Sequence, residues 1–270
     1  MRRLDGRVAL VTGAGSGIGR ATSIELARRG CHLALADVEA TGLAMTAEAV
    51  RIHDRRVSTH LVDLRERAQI ERLRDELLAI HGTCHVLVNN AGVTSAGLFE
   101  AETDDDLAWI VDTNIWGVVH TSRVMLPVLR DAGAGHIANV SSMVALVGLP
   151  YNVSYALTKG AVRAFSEALR SELITSGIGV TAVLPGSFRT GITAHARGTH
   201  AEQLAGLGRH RYSRLMLRDP QCAARAIVRG IRRNRARVLV GIDARLLDVM
   251  ARILPGRSGL VGRIGARVVR

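Results

Sequence analysis

"RVALVTGAGSGIGRATSIELARRG", residues 7–30, reads as a strand, a glycine turn and a helix in direct succession. Residues 7–13 are short, apolar and rich in β-branched side chains, the signature of a strand buried on both faces. In residues 18–30, Ala21, Ile24, Leu26 and Ala27 fall on one broad apolar face, and Gly30 ends the helix. The turn between them, "TGAGSGIG" (12–19), spaces Gly13, Gly17 and Gly19 as G-x-x-x-G-x-G. The G-x-G-x-x-G pattern is not met, because Ile18 stands where its third glycine would fall. Glycines here let the backbone pass close to a pyrophosphate. The helix beginning near Ile18 turns its unpaired N–H groups and positive dipole end toward the phosphates.

The same alternation continues outward. Residues 32–37, 57–63, 85–90, 136–142 and 179–186 repeat the short apolar strand pattern. Residues 70–82 repeat the helical one, with Leu73, Leu77 and Ile80 on one face. Strands alternating with helices predict βαβ crossovers and a Rossmann-type, doubly wound parallel α/β sheet. No repeat, linker or composition break appears before about residue 190, which predicts one domain. Asp37 closes the second strand about twenty residues after the glycines. A carboxylate there accepts hydrogen bonds from adenosine ribose hydroxyls and repels a 2′-phosphate. Neither Ser16 nor Val38 is basic, so NAD is favoured over NADP.

Composition sets the bounds. At 270 residues and 47% hydrophobic, the chain can bury a sizeable core. It has no stretch of eighteen uncharged apolar residues, which predicts no spanning helix. The N-terminal apolar run is short and leads into the glycine turn, so it reads as a strand and not a signal peptide. Cys31, Cys84 and Cys222 are odd in number and lack metal-ligand spacing, which fits reduced thiols in a cytoplasmic protein and predicts no metal. Charge is uneven. Residues 1–205 carry 20 basic and 21 acidic side chains, a net of −1. Residues 206–270 carry 16 arginines against Asp219, Asp243 and Asp248, a net of +13.

The reactive chemistry is expected in "SYALTKGAVRAFSEALRSEL" (154–173). Val162, Phe165, Leu169 and Leu173 share a helix face, so Tyr155 and Lys159, four apart, are neighbours on another. Lys159 is the only lysine among 36 basic side chains, and an ammonium is more compact than a guanidinium fork. Such an ammonium favours the phenolate over the phenol and would bring tyrosine into acid/base range. Ser142, thirteen residues earlier at the end of the fifth strand, can hold a substrate oxygen. Asn114, in "DTNIWG", is expected to begin another helix and anchor a water against Lys159.

These residues resemble the short-chain dehydrogenase/reductase family over roughly residues 5–190. The resemblance rests on "TGAGSGIG", Asp37, Asp63, "NNAG" (89–92), Asn114, Ser142, the pair Tyr155 and Lys159, and "PGSFRT" (185–190). It implies an oxidoreductase acting on an alcohol or ketone. Tyr155 would be the general acid/base, with Ser142 positioning the substrate oxygen. Lys159 would bond the nicotinamide ribose, and Asn114 would complete a proton relay. The implied cofactor contacts are Gly13, Ser16, Gly17, Ile18, Gly19, Asp37, Asp63, Leu64, Asn90, Ala91, Gly92, Tyr155, Lys159, Pro185, Gly186 and Thr190. One departure is His85, where many members carry Asp, and it bears on sheet packing. The rival function is a catalytically idle NAD sensor on the same fold, but the tyrosine and lysine it would have lost are both present.

Substrate choice is expected from the loop after "NNAG", from 143–152 and from a lid over 191–217. The apolar "MVALVGLP" (143–150) favours a lipophilic substrate. Ser141 reads as a strand-end residue. Trp109 and Trp116 read as core or subunit-contact residues, and a dimer or tetramer is expected. A boundary at 241 separates the catalytic domain (1–241) from a basic, amphipathic extension (242–270). That extension either touches a membrane peripherally, packs on a neighbouring subunit or is solvated. Nucleic acid is not expected, since no reader motif accompanies the charge.

Overall fold

A computed structural model describes residues 3–188, 192, 195–202, 218–254 and 259. The first half runs β1 (Val8–Thr12), α1 (Gly17–Arg28), β2 (His32–Asp37), α2 (Ala40–Arg51), β3 (Val57–Leu61), α3 (Arg67–His81) and β4 (Val86–Asn89). The second runs α4 (Asp104–Val111), a π-helical turn (Asp112–Trp116), α5 (Gly117–Asp131), β5 (Gly135–Val140), α6 (Val153–Glu172) and β6 (Ile178–Pro185). It ends with α7 (Pro220–Arg232), β7 (Arg237–Val240) and α8 (Ile242–Ile253).

The strands form one parallel sheet in the order β3-β2-β1-β4-β5-β6-β7. This is the expected doubly wound α/β sheet. Strand order reverses between β1 and β4, and a crevice opens beyond the carboxyl ends of the strands at such a reversal. Helices cover both faces. Leu26 of α1, Leu43 and Val50 of α2, and Ile227 and Ile231 of α7 pack on one. Leu73 and Leu77 of α3, with Met125 and Leu129 of α5, pack on the other. Each such side chain stabilises the fold by roughly 1.5–3 kcal/mol on burial.

Some local expectations change. Ile80 is exposed and does not join Leu73 and Leu77, because it lies in the last turn before Gly82 (φ 75°) ends α3. Residues 57–61 are not buried on both faces. As the sheet's edge strand, β3 hides Ser58 and His60 and exposes Thr59 and Leu61. His85 serves packing, since its Nδ1 accepts the Val8 N–H at 3.2 Å and extends the ladder at the foot of β1.

The seventh strand lies in an arginine-rich stretch that its four residues did not mark as a strand. The helix after the 241 boundary is tied to the body. Asp243 accepts from the Ser187 N–H at 2.7 Å and pairs with Arg218 at 2.7 Å. Asp248 is buried between Arg237 (3.1 Å) and Arg252 (2.9 Å). Among the described residues no helix is long and apolar enough to cross a membrane.

Candidate active site

A groove of about 550 Å³ lies along the carboxyl ends of the strands. At one end stands the glycine turn. Gly13 has φ 62°, and a Cβ there would meet the Ala91 backbone at 2.7 Å, so only glycine fits. Ser16 is the N-cap of α1 but spends no side-chain hydrogen bond on capping. Ser16, Gly17 and Ile18 therefore line the groove at the positive end of the helix. Gly19 lies behind them off the groove wall, where a Cβ would strike the Gly13 carbonyl.

The Asp37 carboxylate accepts the Gly15 N–H at 2.7 Å and the Glu39 N–H at 3.1 Å, leaving lone pairs for further donors. Glu39, absent from the sequence expectations, also lines this end. The Gly42 and Thr41 N–H groups it accepts hold its carboxyl below the usual range, so a second negative charge sits beside Asp37. Behind the turn, Arg20 donates to Thr46 Oγ1 at 3.0 Å and to the Gly15 carbonyl.

Asp63 and Leu64 line the next section. Arg65, also not anticipated, grips Asp63 with Nε at 3.0 Å and Nη2 at 2.5 Å and lowers its carboxyl pKa. The "NNAG" loop is stapled to the glycine turn. Asn90 Nδ2 donates to the Thr12 and Gly13 carbonyls at 3.1 Å, and Thr12 Oγ1 accepts the Asn90 and Ala91 N–H groups at 3.1 Å. Asn90, Ala91 and Gly92 face the groove.

At the far end Lys159 enters from α6, only 2% exposed. Its Nζ donates to the Val140 carbonyl at 3.2 Å and lies 5.6 Å from the Tyr155 ring centroid. A Cβ on Gly92 would sit 3.0 Å from that Nζ, so the loop's glycine keeps the space beside the ammonium free. Ser142 hydrogen-bonds the Tyr155 phenol, and Ser141 Oγ donates to the Lys159 carbonyl at 2.6 Å. Ser141 also lines the groove, whereas Ser142 and Tyr155 do not.

Two expectations need correcting here. Burial pushes the Tyr155 phenol up to about 12, opposed by Ser142, and pushes Lys159 down to about 8. Lys159 therefore does not dominate the tyrosine in the protein alone, because desolvation disfavours both charged forms. Part of Tyr155 still faces solvent, so water moderates its shift. Asn114 does not begin a helix but lies in the π-helical turn between α4 and α5, fully buried. Its Oδ1 accepts the Val93 N–H at 2.8 Å, and its Nδ2 donates to Val93 O at 2.9 Å and Thr158 Oγ1 at 3.0 Å. Both amide hydrogens are spent on fixing the loop to α6, so this side chain has none left to donate to a water.

Pro185 lines the groove and Gly186 does not, being packed against Asp243. Thr190 lies outside the described residues, as does most of the expected lid. Of that lid, Ile192 and His195 line the groove. The Arg197 carbonyl accepts the Ala96 N–H at 2.9 Å, its N–H donates to Thr94 O at 3.2 Å, and its guanidinium lies 4.2 Å over the Trp109 ring. Trp109 is thus a groove-wall residue and not core, and Trp116 is exposed and stacked on His120. No group of three metal-ligating side chains occurs among the described residues.

Comparison with known proteins bears on this geometry. The family model for short chain dehydrogenases matches residues 7–201. SadH of Mycobacterium tuberculosis, which bears the name of an oxidoreductase, is 37% identical over 256 residues, 94% of this chain and 93% of its own. A short chain dehydrogenase/reductase from Burkholderia phymatum, solved with NAD, superposes with TM-score 0.81 at 31% identity, covering 88% of this chain and 90% of that one. Carveol dehydrogenase from Mycobacterium avium, also with NAD, gives TM-score 0.67 at 29% identity over 70% and 73%. With the family model spanning the sheet from β1 to β6, the chain belongs to the short-chain dehydrogenase/reductase family.

Proposed function

We propose that the protein is an NAD-dependent oxidoreductase that interconverts a lipophilic secondary alcohol and its ketone. The observation that carries this reading is one continuous groove with carboxylates at one end and Ser141 and Lys159 at the other, where Lys159 stands beside the ring of Tyr155 and Tyr155 is hydrogen-bonded to Ser142. The glycine cradle, the free Ser16 side chain and the space beside Gly92 fit a dinucleotide along its length.

When bound, NAD supplies the carbon that accepts or returns the hydride. Ser142 holds the substrate oxygen, and Tyr155 takes its proton on oxidation or returns it on reduction. Lys159 anchors the cofactor's ribose and supports the charged form of the tyrosine. Asn114 acts as a positioning residue by fixing Val93 to α6 beside Lys159. Asp37 and Glu39 together disfavour a 2′-phosphate. Apolar wall residues Val93, Trp109 and Ile192 favour a lipophilic substrate, in keeping with a relative named for carveol. Exposed Trp116, Val153 and Leu157 offer apolar surface for a homo-oligomer.

Titrating both nicotinamides into the pure protein tests the cofactor assignment, with NAD expected to bind at least tenfold more tightly, about 1.4 kcal/mol. An NADP preference would reject it. A panel of secondary alcohols and ketones, followed by absorbance of the reduced cofactor, tests the reaction.

A further inference from the structure

Helix α8 presents a face that the described residues leave bare. Ile242, Leu246, Val249 and Ile253 are 64, 64, 51 and 70% exposed. Their spacing of four, three and four residues aligns them in one narrow stripe along the helix. Arg245 and Arg252 are exposed along one edge of that stripe. The opposite face is fastened down through Ala244 and Asp248, the latter held by Arg237 and Arg252, so the stripe cannot turn inward. Arg237 also bonds Glu167 of α6 at 2.5 Å, which ties the mount to the helix that carries Tyr155.

We propose that α8 is a membrane-docking face, with Ile242, Leu246, Val249 and Ile253 entering the interfacial layer of an anionic bilayer and Arg245 and Arg252 meeting its headgroups. An amphipathic helix with an apolar stripe and arginine flank binds such a surface by burial and by charge together. Charge decides between this partner and a second copy of the chain. Residues 206–270 carry a net +13, and the sequence after Asp248 contains five arginines and no acid. A two-fold contact through α8 would bring two such segments together, because both copies present the same patch. An anionic surface neutralises them instead. The site also has a bearing on the groove, since Asp243 at the start of α8 holds Ser187 just past β6, and α8 packs on the turn after Ser142. Docking therefore occurs on an element joined to the reactive end of the sheet, which suits a substrate that dissolves in lipid. The proposal itself does not depend on the cofactor or substrate assigned above.

Co-sedimentation of the full-length protein with vesicles tests it, using phosphatidylglycerol mixed with phosphatidylcholine against phosphatidylcholine alone. The expected result is binding to the anionic vesicles only, weakening as salt shortens the screening length toward ~8 Å at physiological strength. The double variant Leu246→Gln/Ile253→Gln should lower the partition coefficient on the order of tenfold or more at every salt concentration. Arg245→Glu, which leaves the Arg252–Asp248 pair intact, should weaken binding severalfold at low salt and serves as the second variant if the first fails to fold. Absence of vesicle binding at low salt overturns the proposal. So does normal binding by a folded glutamine variant, which would assign the attraction to arginines elsewhere. Light scattering separates the alternatives: no vesicle binding with a lower oligomer mass in the variant identifies a second copy on α8. No vesicle binding with unchanged mass identifies a stripe that the chain itself covers.

Discussion

Tyr155 and Lys159 sit one helical turn apart in α6, and of the two only the lysine lines the groove. Their division of labour gives the sharpest test. Tyr155→Phe removes the proton carrier but no wall of the groove, so turnover should fall roughly 10²–10⁴-fold with NAD affinity within about twofold. Lys159→Arg should damage both turnover and NAD affinity, because a wide fork would collide with Gly92 and lose the bond to Val140. Steady-state kinetics and a binding titration on the same preparations check both, and near-normal activity in Lys159→Arg would undo the argument from size. At this scale the sequence revealed what periodicity encodes. Tyr155, Lys159 and the glycine spacing were legible because helix geometry fixes i and i+4. Glu39 and Arg65 were not, since they reach the groove from loops after β2 and β3 whose course no local pattern records. Nor did residue type reveal that desolvation outweighs the ammonium at Tyr155.

Among the elements, the join between β1 and the "NNAG" loop does most to shape the cofactor end. One hydroxyl, Thr12 Oγ1, accepts two backbone N–H groups from the neighbouring strand's end. Thr12→Val keeps the shape and leaves both donors unpaired in a part-buried place, which should cost about 1 kcal/mol. NAD should bind more weakly as Asn90 and Ala91 relax from the turn. Urea unfolding and cofactor titration measure the two effects, and a variant unchanged in both would mean the staple is redundant. β1, β2, β4, β5 and β6 were readable because buried parallel strands are written as apolar runs, and β3 was found as a strand although Thr59 and Leu61 are exposed. β7 was not, because four residues flanked by arginines carry too little pattern. The edge position of β3, which exposes alternate residues, depends on strand order and so on contacts distant in sequence.

For the molecule as a whole, buried neutral histidines set a limit on acid. Thr181 Oγ1 donates to the Arg235 carbonyl at 2.6 Å, so it must accept from His136 Nε2 at 2.8 Å, leaving His136 Nδ1 buried and bare. Burial lowers His136 to about 3 and His81 to about 4, and lowers His85 as well. Unfolded, each returns to about 6.5. Below that pH the unfolded chain binds protons that the folded chain refuses, so stability is complete above about 6.5 and declines as pH falls. Between about pH 6.5 and 4 the loss should reach a few kcal/mol, since each tenfold weakening of proton binding by the folded chain is worth ~1.4 kcal/mol. Depressed carboxylates such as Asp63 and Asp243 add their own loss only lower down. Denaturant midpoints across that range check it, and a flat profile from pH 7 to 5 would mean His81 and His136 take up protons freely. The lone lysine has a different consequence for the molecule. Its surface bears no lysine amine for an acylating reagent to find, and the single side-chain amine lies inside the groove. An amine-directed label small enough to enter should therefore attach to side chains at one per chain, stop turnover in proportion, and be held off by bound dinucleotide. Covalent stoichiometry then becomes a count of working sites.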